Sequence, residues 1–411
     1  MEVYLVGGAV RDKLLNRPVK ERDWVVVGAT PGELEALGYK AVGRDFPVFL
    51  HPDTHDEVAL ARLEKKVGPG YRGFITEYSP TVTLEDDLQR RDLTVNAMAE
   101  DATGQLIDPH GGQRDLAARL LRHVSSAFVE DPVRILRVAR FAARYAPLNF
   151  RVAEDTLALM RQMVAAGEVD ALVPERVWAE TVRALGEPNP EVFIEVLRDC
   201  GALVVILPEL DALFGVPQPE KWHPEIDTGL HQLLALQQSV RLGGNERVRF
   251  AVLMHDLGKG LTPPDLWPAH RGHEETGAAL VELVCERLHV PNDFRDLALL
   301  ASRYHTHVHR ALELRPATLL ELLEHCDAFR RPERLAELLV VCEADARGRT
   351  GLEDAPYPQR DYVAAARDCA AAVTLDAESR TTLTGAAIGE RLRALRIEAL
   401  ALHKRGQSAE A

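Results

Sequence analysis

The 411-residue sequence is poor in aromatic residues and contains no long hydrophobic run. Aromatic residues make up 6% of the chain, whereas Leu, Ala, Val and Arg are abundant, and this balance favours helices over most of the length. No apolar run approaches the roughly 20 residues of a membrane-spanning helix. We therefore expect no membrane partner, no signal peptide and a cytoplasmic location.

Cysteine is also scarce, and the five cysteines are scattered without any CxxC pair. An odd and unpatterned set fits neither a disulfide framework nor a zinc site, so reduced thiols are expected. The cysteines are Cys200, Cys285, Cys326, Cys342 and Cys369.

Positive charge is in deficit, because the formal net charge is −14. This balance argues against indiscriminate nucleic-acid binding, although it leaves room for a local basic groove. One stretch is rich in arginine, and either a solvated helix face or a functional surface would explain it. Its arginines are Arg114, Arg119, Arg122, Arg134, Arg137, Arg140, Arg144 and Arg151.

A glycine turn near the N-terminus is the first motif with chemical content. A short apolar strand, Val3 to Val6, leads into Gly7-Gly8, and a helix with Arg11 on its first turn follows. Glycine lets backbone N–H groups approach a ligand closely, and a helix start carries partial positive charge. The turn therefore predicts a phosphate site that includes Gly8 and Arg11.

Two carboxylates, Glu21 and Asp23, lie two residues apart at the start of the next apolar strand. Residues two apart on a strand point to the same face, so these side chains are predicted to converge. Two oxygen ligands beside a phosphate site are what Mg²⁺-dependent phosphoryl transfer requires. For either motif alone, an ordinary surface turn is the alternative.

Together the two motifs resemble the nucleotidyltransferase superfamily of DNA polymerase β, and more narrowly the class II tRNA nucleotidyltransferases and their poly(A) polymerase relatives. The resemblance implies an α+β head in which Glu21 and Asp23 hold catalytic Mg²⁺. It also makes Glu57 a candidate third catalytic carboxylate, with a surface role equally open. That family usually has Asp at both carboxylate positions, so Glu21 departs from the pattern.

The block Arg90-Arg91-Asp92-Leu93-Thr94-Val95-Asn96 extends the resemblance. In the family, the matching residues contact the nucleotide. The resemblance implies that Arg91 contacts the phosphates and that Asp92 and Asn96 lie near the sugar.

The segment Glu130 to Arg144 also resembles the family, in which an Asp and an Arg read the base of CTP or ATP. The resemblance assigns these roles to Asp131 and Arg134, and assigns triphosphate binding to Arg137 and Arg140. A carboxylate accepts from an exocyclic amine and a guanidinium donates to a ring acceptor, which cytosine and adenine both offer. An exposed helix held by ion pairs is the alternative.

A second group of ligand-type residues lies in the C-terminal half. His255 and Asp256 are adjacent inside an apolar run, where burial is costly unless a metal coordinates them. With the flanking His and Asp residues, the pattern resembles the HD metal-dependent phosphohydrolase superfamily. The resemblance implies a divalent transition metal, nickel being one candidate, although a histidine packed in the core is the alternative for each residue alone. The expected ligands are His231, His255, Asp256 and Asp345, with His305 as a further candidate and His270 and His273 as weaker ones.

Three short landmark segments along the chain resemble the multifunctional CCA proteins of Gram-negative bacteria, namely Gly43–Phe49, Trp222–Glu225 and His255–Gly260.

Residues 64–86 are rich in Gly, Pro and charge and are expected to form a mobile lid. No catalytic or binding residues are expected within 152–198. The resemblance implies an α+β nucleotidyltransferase head at 1–112 followed by helical domains: a nucleotide-selecting neck at 113–150, a tRNA-binding body at 151–222, an HD domain at 223–346 and a tail at 347–411.

The expected function is addition of C, C and A to the 3′ end of tRNA from CTP and ATP. The resemblance implies phosphatase, 2′-nucleotidase and 2′,3′-cyclic phosphodiesterase activities for the HD domain, in a monomer or weak homodimer. One rival is a poly(A) polymerase, which is typically more basic and has no HD domain. The other is an HD phosphohydrolase with a non-catalytic RNA-binding head, against which the intact nucleotidyl-transfer residues argue.

Overall fold

The computed structural model describes residues 1–19, 21–42, 48–66 and 74–410. These residues divide into two compact units, Met1–Ile206 and Leu207–Ala411. Residues 43–47 of the first landmark and residues 67–73 of the expected lid lie outside the described residues. The described strands all belong to the first unit, and the second unit is helical.

The strands are short. In chain order they are β1 (Glu2–Val6), β2 (Asp23–Val27), β3 (Lys40–Val42), β4 (Val48–Leu50), β5 (Glu57–Leu60), β6 (Leu63–Lys66), β7 (Phe74–Glu77), β8 (Ala99–Glu100), β9 (Leu106–Ile107), β10 (Leu120–Leu121) and β11 (Arg151–Val152).

Seven of the described strands form one mixed sheet in the order β3-β4-β5-β2-β1-β8-β9. The strand β2 pairs antiparallel with β1 and parallel with β5, so Asp23 lies opposite Val6 on one side and Glu57 on the other. Because Val6 directly precedes Gly7, this register places the glycine turn beside the first carboxylate of β2.

The described ends of the expected lid are regular. Strands β6 and β7 pair antiparallel, with Leu63 opposite Glu77. Within the described residues, the segment expected to form a mobile lid is therefore not a loop throughout, because it contains the paired strands β6 and β7 and the start of the helix Leu84–Gln89.

The first unit contains nine described α-helices. They are α1 (Gly8–Leu14), α2 (Pro31–Ala36), α3 (Leu84–Gln89), α4 (Gly112–Ala117), α5 (Val133–Tyr145), α6 (Glu154–Ala165), α7 (Pro174–Leu185), α8 (Pro190–Asp199) and α9 (Leu203–Ile206).

The second unit contains ten described α-helices, and none of the helices in the described ranges has the length and apolar character needed to cross a membrane. They are α10 (Pro208–Asp211), α11 (Thr228–Arg241), α12 (Glu246–Met254), α13 (His273–Arg287), α14 (Asn292–His309), α15 (Pro316–His325), α16 (Pro332–Arg347), α17 (Pro358–Ala371), α18 (Ala377–Thr382) and α19 (Ala386–Glu410).

The head sheet buries side chains on both faces. Val25 belongs to one apolar cluster with Val6 and Leu88, and the next residue, Val26, belongs to another with Phe49. Neighbouring residues of a strand point to opposite faces, so one short strand contributes to both cores. The strand that begins at Asp23 is therefore held firmly from both sides.

Helix α5 packs against α7 and α8 and also contacts the short paired strands β10 and β11. Ile135, Leu136, Val138 and Ala139 are fully buried, as the helical spacing predicts. Asp131 accepts a hydrogen bond from Val133 N at 3.1 Å and so satisfies one amide at the helix start.

In the second unit, α12 packs against α14 and α16, and α11 packs against α16. Each of these elements carries or adjoins a buried His or Asp. Helix α13 packs along α14 and contacts the short 3₁₀ turn Leu257–Leu261 that follows His255-Asp256.

Candidate active sites

An arginine-rich cleft of about 840 Å³ lies in the first unit. Among the described residues, ten arginines and four carboxylates line it, so the cleft suits a polyanion. The structure brings together here every residue expected to bind nucleotide or Mg²⁺: Gly8, Arg11, Glu21, Asp23, Arg91, Asp92, Asn96, Asp131, Arg134, Arg137 and Arg140.

The glycine turn gives arginine side chains close access to the backbone. Gly7 has φ of 68°, and a Cβ atom there would lie 2.8 Å from Arg91 Nη1. A Cβ atom on Gly8 would lie 3.4 Å from Arg11 Nη2. Position 7 therefore favours glycine because of its backbone conformation, whereas a Cβ atom on Gly8 would make only an ordinary van der Waals contact with Arg11.

The two carboxylates reach the cleft in a different way from that expected. Strand β2 begins at Asp23, and Glu21 lies before it, so the prediction that both share one strand face was wrong. Both nevertheless line the cleft. Glu57 is exposed and is the register partner of Asp23 on β5.

The pKa of Asp23 is raised above its ordinary value. Removal of water by the neighbouring protein atoms disfavours the charged carboxylate, and the negative charge of Glu21 adds to this effect. Arg91 acts in the opposite direction and stabilises the charged form. A divalent cation would relieve both unfavourable effects, so this donor set fits a hard metal ion such as Mg²⁺.

A buried hydrogen-bond network connects α1 with α5. Arg11 Nη1 donates to Asn96 Oδ1, and Asn96 Nδ2 donates to Asp92 Oδ1 at 3.0 Å. Arg137 Nε donates to the other oxygen of Asp92 at 2.7 Å. Burial disfavours the charge on Asp92, but Arg137 and Asn96 outweigh it and hold the pKa below its ordinary value. Asp92 is therefore an ionised acceptor that fixes the cleft wall.

Asp131 forms a bidentate ion pair with Arg176 on α7. The two N–H···O distances are 3.0 Å to Oδ1 and 2.7 Å to Oδ2. Arg134 donates to the backbone carbonyls of Ala127 and Arg90, each at 2.7 Å. These contacts fix both side chains at the cleft edge in defined orientations.

Arg140 lines the cleft and also forms ion pairs with glutamates behind it. Its Nε donates to Glu180 at 2.6 Å, and both side chains are nearly buried. Arg144 donates to Glu187 at 2.8 Å. Arg140 therefore has a structural partner in addition to any phosphate that it contacts.

The four expected ligands of the second site converge in the second unit, although they are up to 114 residues apart. His231 Nε2 lies 3.0 Å from Asp345 Oδ1, and His255 Nε2 lies 3.1 Å from Asp256 Oδ2. Each of these four residues is at most 3% exposed. His, His, Asp and Asp form a donor set that suits a divalent transition metal.

Contacts on the far side of the rings orient these histidines. His255 Nδ1 is hydrogen-bonded to the carbonyl of Val252 at 2.7 Å, and His231 Nδ1 lies within ion-pair distance of Glu225 Oε1, at 2.9 Å. Such partners direct the other ring nitrogen toward the centre of the site. Burial disfavours the charged carboxylates, but the neighbouring imidazoles hold the pKa values of Asp256 and Asp345 well below the ordinary range.

A cavity of about 730 Å³ adjoins this cluster. Lys259, Arg310 and Arg349 line it together with His273 and His309. Three cationic side chains beside a metal-type donor set fit an anionic substrate such as a phosphate ester.

Curated proteins that resemble the chain do so over nearly its full length. The chain is 64% identical over 400 residues to the multifunctional CCA protein of Thioalkalivibrio sulfidiphilus, covering 97% of this chain and 98% of that protein. It is 62% identical over 405 residues to that of Alkalilimnicola ehrlichii, covering 98% of each. The chain belongs to the multifunctional CCA protein family.

Three family models match successive segments of this CCA-family chain, and the first and last of them contain the two sites described above. The Poly A polymerase head domain matches residues 3–122, the probable RNA and SrmB-binding site of polymerase A matches 149–214, and the HD domain matches 229–349. The α+β nucleotidyltransferase head and the helical remainder with an HD domain are thus confirmed, and these two domain types imply dependence on divalent metals.

Solved structures share the fold of this CCA-family chain. A CCA-adding enzyme in complex with CTP gives a TM-score of 0.66 at 23% identity, covering 97% of this chain and 87% of that one. The Thermotoga maritima CCA-adding enzyme complexed with tRNA gives 0.62 at 21% identity, covering 99% and 91%.

Sequence reasoning missed several residues of this CCA-family chain. No chemistry was expected in 152–198, yet α7 brings Arg176, Glu180 and Arg183 to the cleft and its ion pairs. Their spacing of four and three residues on one helix face was the available signal. Glu225 and Lys259 lie within the landmark segments Trp222–Glu225 and His255–Gly260, but no role was predicted for either residue.

Proposed function

We propose that the first unit of this CCA-family enzyme adds C, C and A to the 3′ end of tRNA, using CTP and ATP. The observation that supports this most is the cleft itself, which combines the glycine turn, Asp23 and the base-selecting pair Asp131 and Arg134 among ten arginines. Relatives named multifunctional CCA proteins at 62–64% identity support the same assignment.

In the proposed reaction, the terminal 3′-hydroxyl oxygen of tRNA forms a bond to the α-phosphorus of the bound nucleotide, and the bond to pyrophosphate breaks. Asp23 and Glu21 would hold Mg²⁺, which supplies Lewis acidity when bound. Glu57, the register partner of Asp23, is assigned to accept the hydroxyl proton. Arg11, Arg91, Arg137 and Arg140 would hold the triphosphate, and Asp92 and Asn96 would contact the sugar.

Selection between bases is assigned to Asp131 and Arg134. A carboxylate has about four acceptor positions, and Val133 N and the two Arg176 donors account for three on Asp131. The fourth, on Oδ2, is suited to the exocyclic amine of cytosine or adenine. Arg134 would donate to the adjacent ring acceptor, which uracil and guanine do not present beside an amine in this arrangement.

An incorporation assay tests this proposal. A tRNA transcript without CCA is incubated with Mg²⁺ and each labelled nucleotide, for the unaltered chain, Asp23→Asn and the exposed control Glu35→Gln. We expect CTP and then ATP to be incorporated by the unaltered chain and by the control, and at least a thousand-fold less by Asp23→Asn. A variant Asp23→Asn that still incorporates normally would contradict the assignment.

The second unit is proposed to hydrolyse phosphate esters at RNA ends, as a phosphatase, 2′-nucleotidase and 2′,3′-cyclic phosphodiesterase. His231, His255, Asp256 and Asp345 would hold a divalent transition metal, with Ni²⁺ one candidate. Lys259 on Asp256 and the cationic cavity wall support binding of an anionic phosphate. Release of a free phosphomonoester from 2′,3′-cyclic AMP, lost in His255→Gln but kept in the exposed control His307→Gln, is the expected result. Activity that persists in His255→Gln would refute the site.

The remaining assignments follow from this function. The domain boundaries proposed are 1–112, 113–150, 151–222, 223–346 and 347–411, with the cytoplasm as location because tRNA and nucleoside triphosphates are there. The proposed assembly is a monomer or weak homodimer, and light scattering after gel filtration tests it.

A further inference from the structure

The cavity in the second unit is larger and more apolar than a phosphate group requires. Its volume of about 730 Å³ lies within the range of about 300–1,000 Å³ that is typical of sites for whole small molecules. The cationic side chains described above account for an anion, but they leave the apolar part of the wall without a ligand group. That part includes Pro219, Trp222, Pro268, Leu352, Pro356 and Tyr357.

Trp222 is the side chain of this wall that is best suited to an aromatic ligand. The residue is 56% exposed, although it is a large aromatic residue. Its backbone N–H donates to the carbonyl of Pro219 at 2.9 Å, which fixes the turn that carries it. Lys221 Nζ lies over the indole ring, 4.6 Å from the ring centroid. An exposed indole in a cationic cavity is a surface on which a nucleobase can stack.

Gln218 adds a buried hydrogen-bond donor to the same cavity. The residue is 2% exposed, and its Oε1 accepts a hydrogen bond from Lys259 Nζ at 2.6 Å. An ammonium group can only donate, so this contact fixes which end of the amide faces the lysine. The other end, Nε2, is buried and has no hydrogen-bond partner in the described part of the chain. A ligand atom that accepts from Nε2 would remove this free-energy cost.

His270 adds a buried acceptor beside that donor. It lines the cavity, is 2% exposed and has its Nε2 at 2.8 Å from the carbonyl of Pro217. Since a carbonyl can only accept, Nε2 carries the proton of the neutral ring and Nδ1 carries the lone pair. Nδ1 is buried and has no partner among the residues that the structure describes. Because Pro217 and Gln218 are adjacent, the unpaired acceptor and the unpaired donor belong to one part of the wall.

Lys259 connects this part of the wall with the His and Asp cluster. Its Nζ lies 2.6 Å from Gln218 Oε1 and 2.6 Å from Asp256 Oδ2. The donor and acceptor for a ligand edge therefore adjoin the cluster that was assigned above to the phosphate ester. A nucleotide combines such an edge, a flat aromatic face and a phosphate in one molecule.

We propose that this cavity binds the terminal nucleobase of the RNA end, stacked on Trp222 and hydrogen-bonded at one edge to Gln218 and His270. The inference rests on the phosphohydrolase function proposed for the second unit and adds the base to the part of the substrate that is recognised. In adenine, for example, the exocyclic amine would donate to His270 Nδ1 and the adjacent ring nitrogen would accept from Gln218 Nε2. A phosphorylated sugar without a base offers neither the edge nor the flat face.

The test compares two substrates of the full chain in the presence of Ni²⁺. One is 2′,3′-cyclic AMP and the other is the 2′,3′-cyclic phosphate of methyl riboside, which carries the same reacting group without a base. We expect kcat/KM to favour the nucleotide by at least about 10-fold. Trp222→Ala should reduce this preference by about 5- to 150-fold, the range given by the loss of one base stack, whereas Trp222→Phe should keep most of it.

Two further variants separate stacking from edge recognition and from a general effect on folding. Gln218→Glu still accepts from Lys259 but has no N–H to donate, so it should also reduce the preference. The ratio of the two substrates cancels the effect of the added charge on the phosphate, which both contain. Leu283→Ala, at a residue that is 54% exposed on α13, is the matched control for Trp222 and should keep the preference of the unaltered chain.

Inhibition by adenosine, which has no phosphate, measures the base site directly. Adenosine should inhibit hydrolysis of the methyl riboside substrate by the unaltered chain but not by Trp222→Ala. Equal kcat/KM for both substrates in the unaltered chain would overturn the base site and leave the phosphohydrolase in place, and water would then satisfy Gln218 and His270. Hydrolysis of neither substrate would overturn both. An equal loss with both substrates in Trp222→Ala would show that Trp222 is structural and would overturn its proposed role.

Discussion

Because Asp131 is proposed to bind the base, Arg176, which holds its carboxylate, should affect how well the enzyme uses CTP, although no role was predicted for this arginine from the sequence. It donates two hydrogen bonds to the Asp131 carboxylate at 3.0 and 2.7 Å, and the two side chains are 27% and 23% exposed. Hydrogen bonds to charged groups contribute about 1.5–3 kcal/mol when buried, and partial exposure reduces this. We therefore expect a coupling of about 1–2 kcal/mol between the two residues, or roughly 5- to 30-fold in rate.

The assay is a double-mutant cycle on kcat/KM for CTP with Arg176→Met, Asp131→Asn and the double variant. Arg176→Met alone should lower kcat/KM for CTP by the 5- to 30-fold given above, and should cost little more once Asp131 is already changed. Arg161→Met, an exposed arginine on α6, is the matched control and should leave kcat/KM unchanged. Full additivity of the two changes would refute the reasoning, as would a rise in activity in Arg176→Met.

Three further predictions concern stability. The pKa of Asp23 is raised, so its charged form is disfavoured in the folded state, and folding stability is lost as the pH rises through that pKa. Asp23→Asn should therefore raise the melting temperature of the metal-free chain near pH 7. An unchanged melting temperature would refute this prediction. Gly7→Ala should destabilise the chain by about 1–3 kcal/mol, because φ of 68° with ψ of −127° is a backbone conformation that residues with a Cβ rarely adopt. Gly32 lies in helix α2 with open space around a Cβ atom, so Gly32→Ala should not destabilise the chain in the same thermal unfolding measurement. Equal losses of stability would contradict this prediction. Arg140→Met should lower the free energy of unfolding by about 3 kcal/mol, because it leaves Glu180 buried without this partner. The double variant Arg140→Met/Glu180→Met should recover most of that free energy in denaturant unfolding. No recovery would exclude the ion pair as the cause.

Local sequence was sufficient to predict the first strand and the helix that follows its glycine turn. The apolar run Val3 to Val6 lies within β1, and the helix predicted to carry Arg11 is α1. Glycine, proline and short apolar runs act over a few residues, so they can be recognised without the tertiary structure.

Contacts between distant segments could not be predicted in that way. The bidentate pair of Asp131 with Arg176 joins residues 45 positions apart, and it depends on how α7 packs against α5. Similarly, no pattern in the sequence specifies that β2 begins at Asp23 rather than at Glu21, because pairing with β1 and β5 sets that boundary. The resemblance to a known family supplied the candidate ligands in the second unit, but the orientation of their rings depends on Val252 and Glu225.

The measurement that tests the central claim most directly is the sequence of the products made from a tRNA that lacks CCA when all four nucleoside triphosphates compete at equal concentration with Mg²⁺. We expect extension by C, C and A, followed by a stop, with no U or G at any position. A run of A without C, mixed incorporation of all four nucleotides, or an unextended tRNA would contradict it.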